Sequence, residues 1–306
     1  MSRLLKKIVN RIAGKTLVQR EERVAWLFTL PTFVYVIIIF FMPAGYTLLL
    51  SLFKWNINGL GAFNGLQSYT DLFADQLFLK SVGNTLTFAA LSVPFTILAG
   101  LVAALAFQSR IGLPLRNFFK ASYFLPLVVS LVAAAFVWKW MFNPSIGLLN
   151  NLLRSVGLPA QGWLDNPDQV LLSIAQIYVW ARMGFAMVIF IAGLEGIPAD
   201  YYDAAAIDGA NRWQAFRHIT FPLLNPQFVL IGILEVITAL RAFDLPYIAA
   251  SGGPINASRT IVLHIYDSAF QYMRMGTAAA AAIILFLIIL AFTVIQRRLL
   301  SRQIDY

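Results

Sequence analysis

The segment YYDAAAIDGANRWQAFRHITFPLLNP, Tyr201–Pro226, decides how this sequence folds. It has the acids, bases and small residues of a soluble helix-turn-helix, yet a strongly apolar run lies on each side of it. Pro198 and Asp200 mark a helix start, Asp203 suits the positive end of the helix dipole, and Gly209 can end a helix by adopting positive φ. We therefore predict a first short helix over Tyr201–Ile207.

A second helix follows directly. Asn211 can cap it, and Gln214, three residues later, completes a capping-box pattern. Pro222 limits its extension, because proline lacks the amide hydrogen that a helix interior requires. The sequence predicts this helix over about Arg212–Thr220. By spacing alone, the element is either a docking surface or an ordinary amphipathic loop on the membrane.

The composition is that of a membrane protein. Of 306 residues, 59% are hydrophobic and 12% are charged, whereas soluble domains have about 45–50% apolar and 25% charged residues. Six runs approach or exceed the roughly 20 residues that cross a bilayer. The predicted spans are 26–53, 85–107, 121–138, 170–194, 228–248 and 277–295.

Lysine and arginine are distributed unevenly between the two sets of loops. Fifteen lie in the N-terminal tail, the loop before the third span, the 197–226 loop and the C-terminal tail, against six in the opposite loops. Because these residues concentrate on the cytoplasmic side, both termini and the 197–226 loop are predicted to be cytoplasmic. A basic tail at a membrane is a contact for anionic lipid, so the net charge of +9 does not indicate nucleic-acid binding.

Several kinds of chemistry are disfavoured by the residues present. The chain has no cysteine, and His218 and His264 fall on opposite predicted sides of the membrane, so we predict no thiol chemistry and no metal site. No phosphate-cradling GxxxxGK[ST] loop, GxSxG turn or HExxH helix occurs. We therefore expect the chain to bind no nucleotide itself.

Charged residues inside predicted spans are costly and mark cavities or helix contacts. In the fifth span, Glu235, Thr238, Arg241 and Ala242 share one helical face by spacing. Glu235 either contacts a solute or pairs internally with Arg182 or Arg241. For Arg241 and Asp244 we expect ion pairs.

The opening segment resembles the cytoplasmic loop signature of binding-protein-dependent ABC importer permeases, which is E-A-A, three residues, G, nine residues and I-x-L-P. Asp203 stands in place of the usual Glu, and Phe221 in place of the usual Leu. In that family the loop is a coupling helix, seated in a groove of a cytoplasmic ATPase, where the acid faces an arginine. The matching positions, which the resemblance identifies as ATPase-coupling residues, are Asp203, Ala204, Ala205, Gly209, Ile219 and Pro222.

Further segments are similar to the carbohydrate, maltose-type (MalF-like) branch of the family. They are Phe124–Asn150, Gly193–Ala210 and Phe243–Phe270, the last of which contains a GGP loop. By this resemblance Glu235, Thr238, Ala239 and Ala242 match positions that contact sugar, although the two alanines offer no hydrogen-bonding side chain. Gly252, Gly253 and Pro254 would form a loop at the outer gate.

The resemblance implies an all-α, six-span bundle of the type I ABC importer fold, with a permease domain over 26–296 and cytoplasmic tails over 1–25 and 297–306. The expected partners are a MalG-like second permease, two copies of an ATPase subunit carrying ATP-Mg, an extracytoplasmic solute-binding protein and membrane lipid. The chain itself would be a non-catalytic subunit of a bacterial or archaeal inner-membrane importer for a sugar-like solute. An ion-coupled secondary transporter that uses Glu235 is the alternative.

Overall fold

The computed structural model describes residues 17–56, 59–108 and 122–300. Its helices are Leu17–Val36, Met42–Ser51, Gln67–Ala74, Gln76–Gln108, Ser122–Val128, Leu131–Met141, Leu148–Ser155, Val170–Glu195, Ala199–Ile207, Arg212–Ala215, Phe221–Leu223, Asn225–Leu240, Asp244–Ala250, Ile261–Tyr266 and Met275–Leu300. Wider π-helical turns occupy Ile37–Phe41, Phe216–Thr220 and Asp267–Gln271. The two strands are Phe53–Asn56 and Gly59–Phe63.

Four helices are each long and apolar enough to cross a membrane: Glu21–Ser51, Gln76–Phe107, Val170–Glu195 and Met275–Arg298. We call these the first, second, fourth and sixth spans. The third span is the bent pair Ser122–Val128 and Leu131–Met141. The fifth is Asn225–Leu240, and the helix Arg212–Leu223 that precedes it meets it at an angle of 60°. The predicted basic tail through residue 16 and the basic loop at 109–121 lie outside the described residues.

The third span differs from the single helix expected over 121–138. Its two halves meet at an angle of 113°. At the break, the amide of Val129 donates to the carbonyl of Pro126, and Ser130 is extended with ψ at 134° before the next helix begins. A tight turn therefore interrupts this apolar run, which hydropathy cannot detect.

The fifth span also ends earlier than the expected residue 248. Its helix stops at Leu240, and a bend leads to the short helix Asp244–Ala250. Pro246 explains the stop, because in a continuing helix its ring would collide with the carbonyl of Ala242. That carbonyl instead accepts a hydrogen bond of 3.0 Å from the hydroxyl of Thr260.

The core lies between the second, fourth and fifth spans. The second and fourth spans pack along much of their length, and Gly100 sits so close to Ala186 that a side chain there would collide with it. Gly100 therefore permits close packing of the two spans. Tyr178, Phe190 and Ile231 are among the large side chains fully buried between these spans.

The first span and the segment after it lie at the edge of the bundle. In the most apolar window of Glu21–Ser51 no residue is buried within the chain. The C-terminal part of this span, Met42–Ser51, packs on the sixth span. The following segment forms an antiparallel hairpin, held by an edge-to-face contact of 5.4 Å between Phe53 and Phe63, and then the short helix Gln67–Ala74.

Candidate functional site

The first candidate site is the pair of short helices Ala199–Ile207 and Arg212–Leu223, which we call the helix pair. Gly209 has φ at +77° between the two helices, as positive φ was predicted there. The predicted capping box is present: the amide of Gln214 donates to the Asn211 side chain at 2.9 Å, and the Asn211 amide donates to Gln214 at 2.7 Å. Both helices are therefore stabilised by their own local sequence.

The inner side of the helix pair is fastened to the membrane bundle. The hydroxyls of Tyr202 and Thr220 lie 2.9 Å apart and join the two helices. Tyr202, Phe216 and Ile219 pack partly buried against a core cluster that the second, fourth and fifth spans build. The helix pair is therefore packed directly against three spans.

The side of the helix pair that faces away from the bundle, which we call its outer side, carries large apolar residues that this chain leaves exposed. Ile207 is 87% exposed and Trp213 is 65% exposed; Tyr201 and Phe221 are also exposed. Trp213 stacks on Phe216 with ring centroids 5.6 Å apart, so the outer tryptophan is fixed by an inward-facing ring.

The six residues that match the loop signature do not all lie on this outer side. Asp203 and Ala204 are exposed, while Ala205, Ile219 and Pro222 are half-buried. Asp203 lies in the second turn rather than the first, because the helix begins at Ala199. The exposed carboxylate is thus available to a partner, while Ile219 anchors the pair to the bundle.

A second candidate site lies within the bundle, where Glu235 is fully buried. Its carboxylate accepts a hydrogen bond of 2.7 Å from the Arg182 guanidinium and one of 2.7 Å from the Tyr178 hydroxyl. The Arg182 guanidinium also lies 4.9 Å from the centre of the Phe185 ring. Of the two internal partners considered from the sequence, Arg182 is the one that the structure brings to Glu235.

A cavity of about 240 Å³ lies beside this ion pair. Its lining is Leu131, Tyr178, Thr238, Arg241, Ala242, Phe243, Asp244 and Leu245. Of the four sugar-contact candidates, Thr238 and Ala242 line it, whereas Glu235 and Ala239 are fully buried beneath it. The sequence does not predict Tyr178 or Phe243 as lining residues, because nothing in an apolar run indicates which aromatic ring reaches a cavity.

The ion pairs expected for Arg241 and Asp244 are not among the salt bridges of the described residues, which join Arg182 to Glu235 and Arg259 to Asp267. Both Arg241 and Asp244 are exposed at the bend after the fifth span. They therefore give the cavity mouth one charge of each sign.

An aromatic row leads away from the cavity. Phe243 stacks on Tyr247 with centroids 5.1 Å apart, Tyr247 contacts Tyr266 at 5.5 Å, and Tyr266 contacts Phe270 at 5.4 Å. A hydrogen bond with Tyr247 is the main cause that raises the pKa of Tyr266 above its ordinary value. The row ends at Phe270, which is exposed.

The predicted gate loop lies at the same end of the bundle. Ser251 and Gly252 have φ of 50° and 80°, which turns the chain sharply before Gly253 and Pro254. The second span holds the stretch after the loop: the Asn84 side chain donates to the carbonyls of Asn256 and Arg259 at 2.8 and 3.0 Å. Lys80, one turn earlier, donates to the Ile255 carbonyl at 2.7 Å.

His264 lies behind this loop. Burial, and then the charge of Arg259, lowers the pKa of His264 below its ordinary value. Within the described residues no group of three histidine, aspartate or glutamate side chains lies close enough together to hold a metal ion.

Comparison with known proteins places these features in context. The family model described as "Binding-protein-dependent transport system inner membrane component" matches residues 96–305. The chain is 33% identical over 291 residues to the trehalose/maltose transport system permease protein MalF of Thermococcus litoralis, covering 94% of this chain and 96% of that one. It is 30% identical over 283 residues to the sn-glycerol-3-phosphate transport system permease protein UgpA of Agrobacterium fabrum, covering 92% and 96%.

Among solved structures, the chain resembles a subunit of a bacterial ABC transporter involved in the import of the acidic polysaccharide alginate. The TM-score is 0.83 at 23% identity, and the match covers 99% of this chain and 100% of that one. At this identity the likeness concerns the fold.

Proposed function

Because the chain belongs to the family of binding-protein-dependent transport system inner membrane components, we propose that it forms half of the pathway by which an ATP-driven importer moves a sugar or sugar-like solute. The family and the similar structure confirm the predicted all-α, six-span permease fold. The observation that carries the proposal is the helix pair, which exposes an apolar outer face and is packed directly onto three spans.

The helix pair would couple the bundle to a separate ATPase subunit, which binds ATP-Mg. Its outward Ile207 and Trp213 supply anchors of the kind that fill pockets at protein interfaces. The exposed Asp203 supplies a negative charge for the arginine that the family resemblance implies on the ATPase. When the ATPase closes, the pair would move as a unit and tilt the fourth and fifth spans between their two arrangements.

The solute would pass the cavity beside Glu235. Sugars offer hydroxyl groups for hydrogen bonds and apolar ring faces for stacking, and the cavity lining presents both the Thr238 hydroxyl and the Phe243 ring. The aromatic row continues those ring surfaces toward the exposed Phe270. The relatives named for trehalose/maltose and sn-glycerol-3-phosphate transport support a polyhydroxylated solute.

Ion coupling through Glu235 has less support. A coupling carboxylate must exchange its ion with water, but Glu235 is fully buried and engaged by Arg182 and Tyr178. A bound arginine already neutralises its charge. We therefore place Glu235 in the framework of the pathway rather than in an ion site.

The remaining subunits follow from the same proposal. A second, MalG-like permease would complete the pathway, two ATPase copies would meet the two helix pairs, and a solute-binding protein would deliver the solute at the opposite membrane face. The excess of lysine and arginine in the tails and the 197–226 loop favours cytoplasmic termini. ATP hydrolysis would take place on the ATPase chains alone.

Asp203→Lys tests the coupling. We expect the variant to insert and assemble its bundle, but to lose ATP-driven uptake, because a lysine would repel the arginine in the ATPase groove. The measurement is uptake of labelled maltose, trehalose and glycerol 3-phosphate by cells that express the complete importer, alongside ATP hydrolysis by the purified complex. Asp208→Lys, the same charge change at an exposed position beyond the first helix, is the control. Normal uptake by Asp203→Lys would refute the charged contact.

A further inference from the structure

A short amphipathic helix, Leu148–Ser155, follows the third span. It lies at the end of the bundle opposite the helix pair, since the fourth span runs from Val170 to Glu195 and separates the two. Nothing in the transport proposal uses this helix.

The helix is fixed to the bundle by its buried side. The buried Asn150 accepts hydrogen bonds from the Gln161 amide at 2.9 Å and the Trp163 indole at 3.0 Å. Trp163 in turn packs on Phe142 at the end of the third span, with ring centroids 5.1 Å apart. The helix therefore has one fixed orientation relative to the membrane spans.

Its exposed surface is divided lengthwise. Leu148, Leu152 and Val156 recur at intervals of four, which places them on one side, and each is more than half exposed. Asn151 and Arg154 occupy the other exposed side. The Arg154 guanidinium donates to the carbonyls of Pro144 and Ser145 at 2.7 and 3.0 Å, which keeps the polar side in place.

The apolar side continues the exposed apolar surface of the third span. On the third span, Phe136 and Val137 are more than half exposed, and Trp140 is 82% exposed just before the chain leaves the span. Tryptophan at such a position marks the membrane–water interface. Ile146, 74% exposed, continues this surface in sequence from Trp140 toward Leu148.

From this continuity we propose that Leu148–Ser155 lies in the membrane interface, with Leu148, Leu152 and Val156 among the lipid chains of the leaflet opposite the helix pair. Asn151 and Arg154 face the headgroup layer. A helix with one apolar and one polar exposed side lies in the interface plane in this way. The contact would fix how deep the third span sits, because Asn150 and Trp163 transmit the helix position to it.

Spin labelling provides the test, and the natural absence of cysteine makes each introduced label unique in this chain. Leu152→Cys and Asn151→Cys are labelled in the full chain, purified with its copurifying subunits and reconstituted in phosphatidylglycerol–phosphatidylethanolamine vesicles. The unsubstituted chain, treated identically, corrects for label on other subunits. Val137→Cys gives the value for a lipid-facing residue.

We expect the label at position 152 to relax faster with oxygen, which concentrates in lipid, than with a water-soluble nickel chelate, as at position 137. The label at position 151 should show the opposite preference. If the label at position 152 relaxes faster with the nickel chelate, the side of the helix with Leu148, Leu152 and Val156 lies in water. If neither reagent speeds its relaxation, that side lies against a protein. Either result overturns the proposal and leaves the importer assignment intact.

Discussion

At the scale of single residues, the pairing of Glu235 with Arg182 holds a buried carboxylate against the guanidinium of a neighbouring span. Glu235 is completely buried, and the Arg182 side chain is 20% exposed. Removing one partner of such a pair leaves an uncompensated charge, which costs about 3–5 kcal/mol in soluble proteins, whereas replacing both with apolar residues is often neutral. The pair therefore couples the fourth and fifth spans strongly.

We predict that Glu235→Ala lowers the thermal unfolding temperature of the detergent-solubilised protein markedly. The double variant Glu235→Leu, Arg182→Met should recover much of that loss, because no lone charge remains.

Tyr178→Phe, which removes only one hydrogen bond to the carboxylate, should lower the free energy of unfolding by about 1.5–3 kcal/mol. If the double variant is destabilised by the sum of its single variants, the two residues are not energetically coupled.

His264 gives a second prediction at this scale. Because burial lowers the pKa of His264 in the folded protein, the unfolded chain binds the proton more tightly. Stability should therefore be complete above the ordinary histidine pKa of about 6.5 and decrease as the pH falls below it. Unfolding temperatures between pH 8 and pH 5 would show this decrease.

The control for this titration is built into the chain, which has one other histidine, the exposed His218. His264→Gln should weaken the pH dependence, and His218→Gln should leave it unchanged. An unaltered pH profile in His264→Gln would assign the effect to the carboxylates.

At the scale of elements, the second span does more than cross the membrane. Its start, Gln76–Asn84, extends beyond the predicted apolar run and holds the stretch after Gly252–Pro254 through the side chains of Lys80 and Asn84. Thr85 adds a bond of 2.8 Å from the Ile261 amide. One helix face thus positions the loop that we expect at the outer gate.

Asn84→Ala should free this loop, because two side-chain hydrogen bonds are lost at about 1 kcal/mol each. Hydrogen–deuterium exchange of the amides in 252–260 should become faster by about tenfold or more, while exchange in the helix pair stays constant. Gly83→Ala is the matched control, since a methyl group at Gly83 meets open space. Equal exchange in both variants would show that the loop is stable without Asn84.

At the scale of the whole molecule, this chain leaves much apolar surface uncovered. The first span has no buried residue over its most apolar window, and the helix pair exposes Ile207 and Trp213. Lipid can cover the first span where no protein does, whereas the proposed cover of Ile207 and Trp213 is the ATPase subunit. We therefore expect the chain to be one subunit of a larger complex.

Purification of a tagged chain in mild detergent should recover an ATPase and a second six-span permease, identified by mass spectrometry. A double substitution on the outer side, Ile207→Asp with Trp213→Asp, should lose the ATPase, because both anchors would become charged. Asn151→Asp, at the opposite end of the bundle, should retain it. Recovery of the chain alone, with uptake that follows an ion gradient, would contradict the importer assignment.

The sequence by itself determined the features that depend on neighbouring residues. Hydropathy over about 20 residues located the spans, and Asn211, Gln214 and Gly209 specified the caps and turn of the helix pair, because these interactions join residues within one or two turns. The E-A-A loop signature, which lies in the same helix pair, indicated the family. What it could not locate were the breaks at Ser130 and after Leu240, since an apolar run with a proline can bend or stay straight.

Only the tertiary structure decided which distant residues meet. Glu235 lies 53 residues from Arg182 in sequence, and Asn84 lies 172 residues from Asn256. Nothing in an apolar span states which face meets which neighbour, because that choice depends on how side chains of several spans fill the shared space. For this reason the cavity lining and the loop support appeared only in the folded bundle, and the solute role of Thr238 and Ala242 stays a prediction.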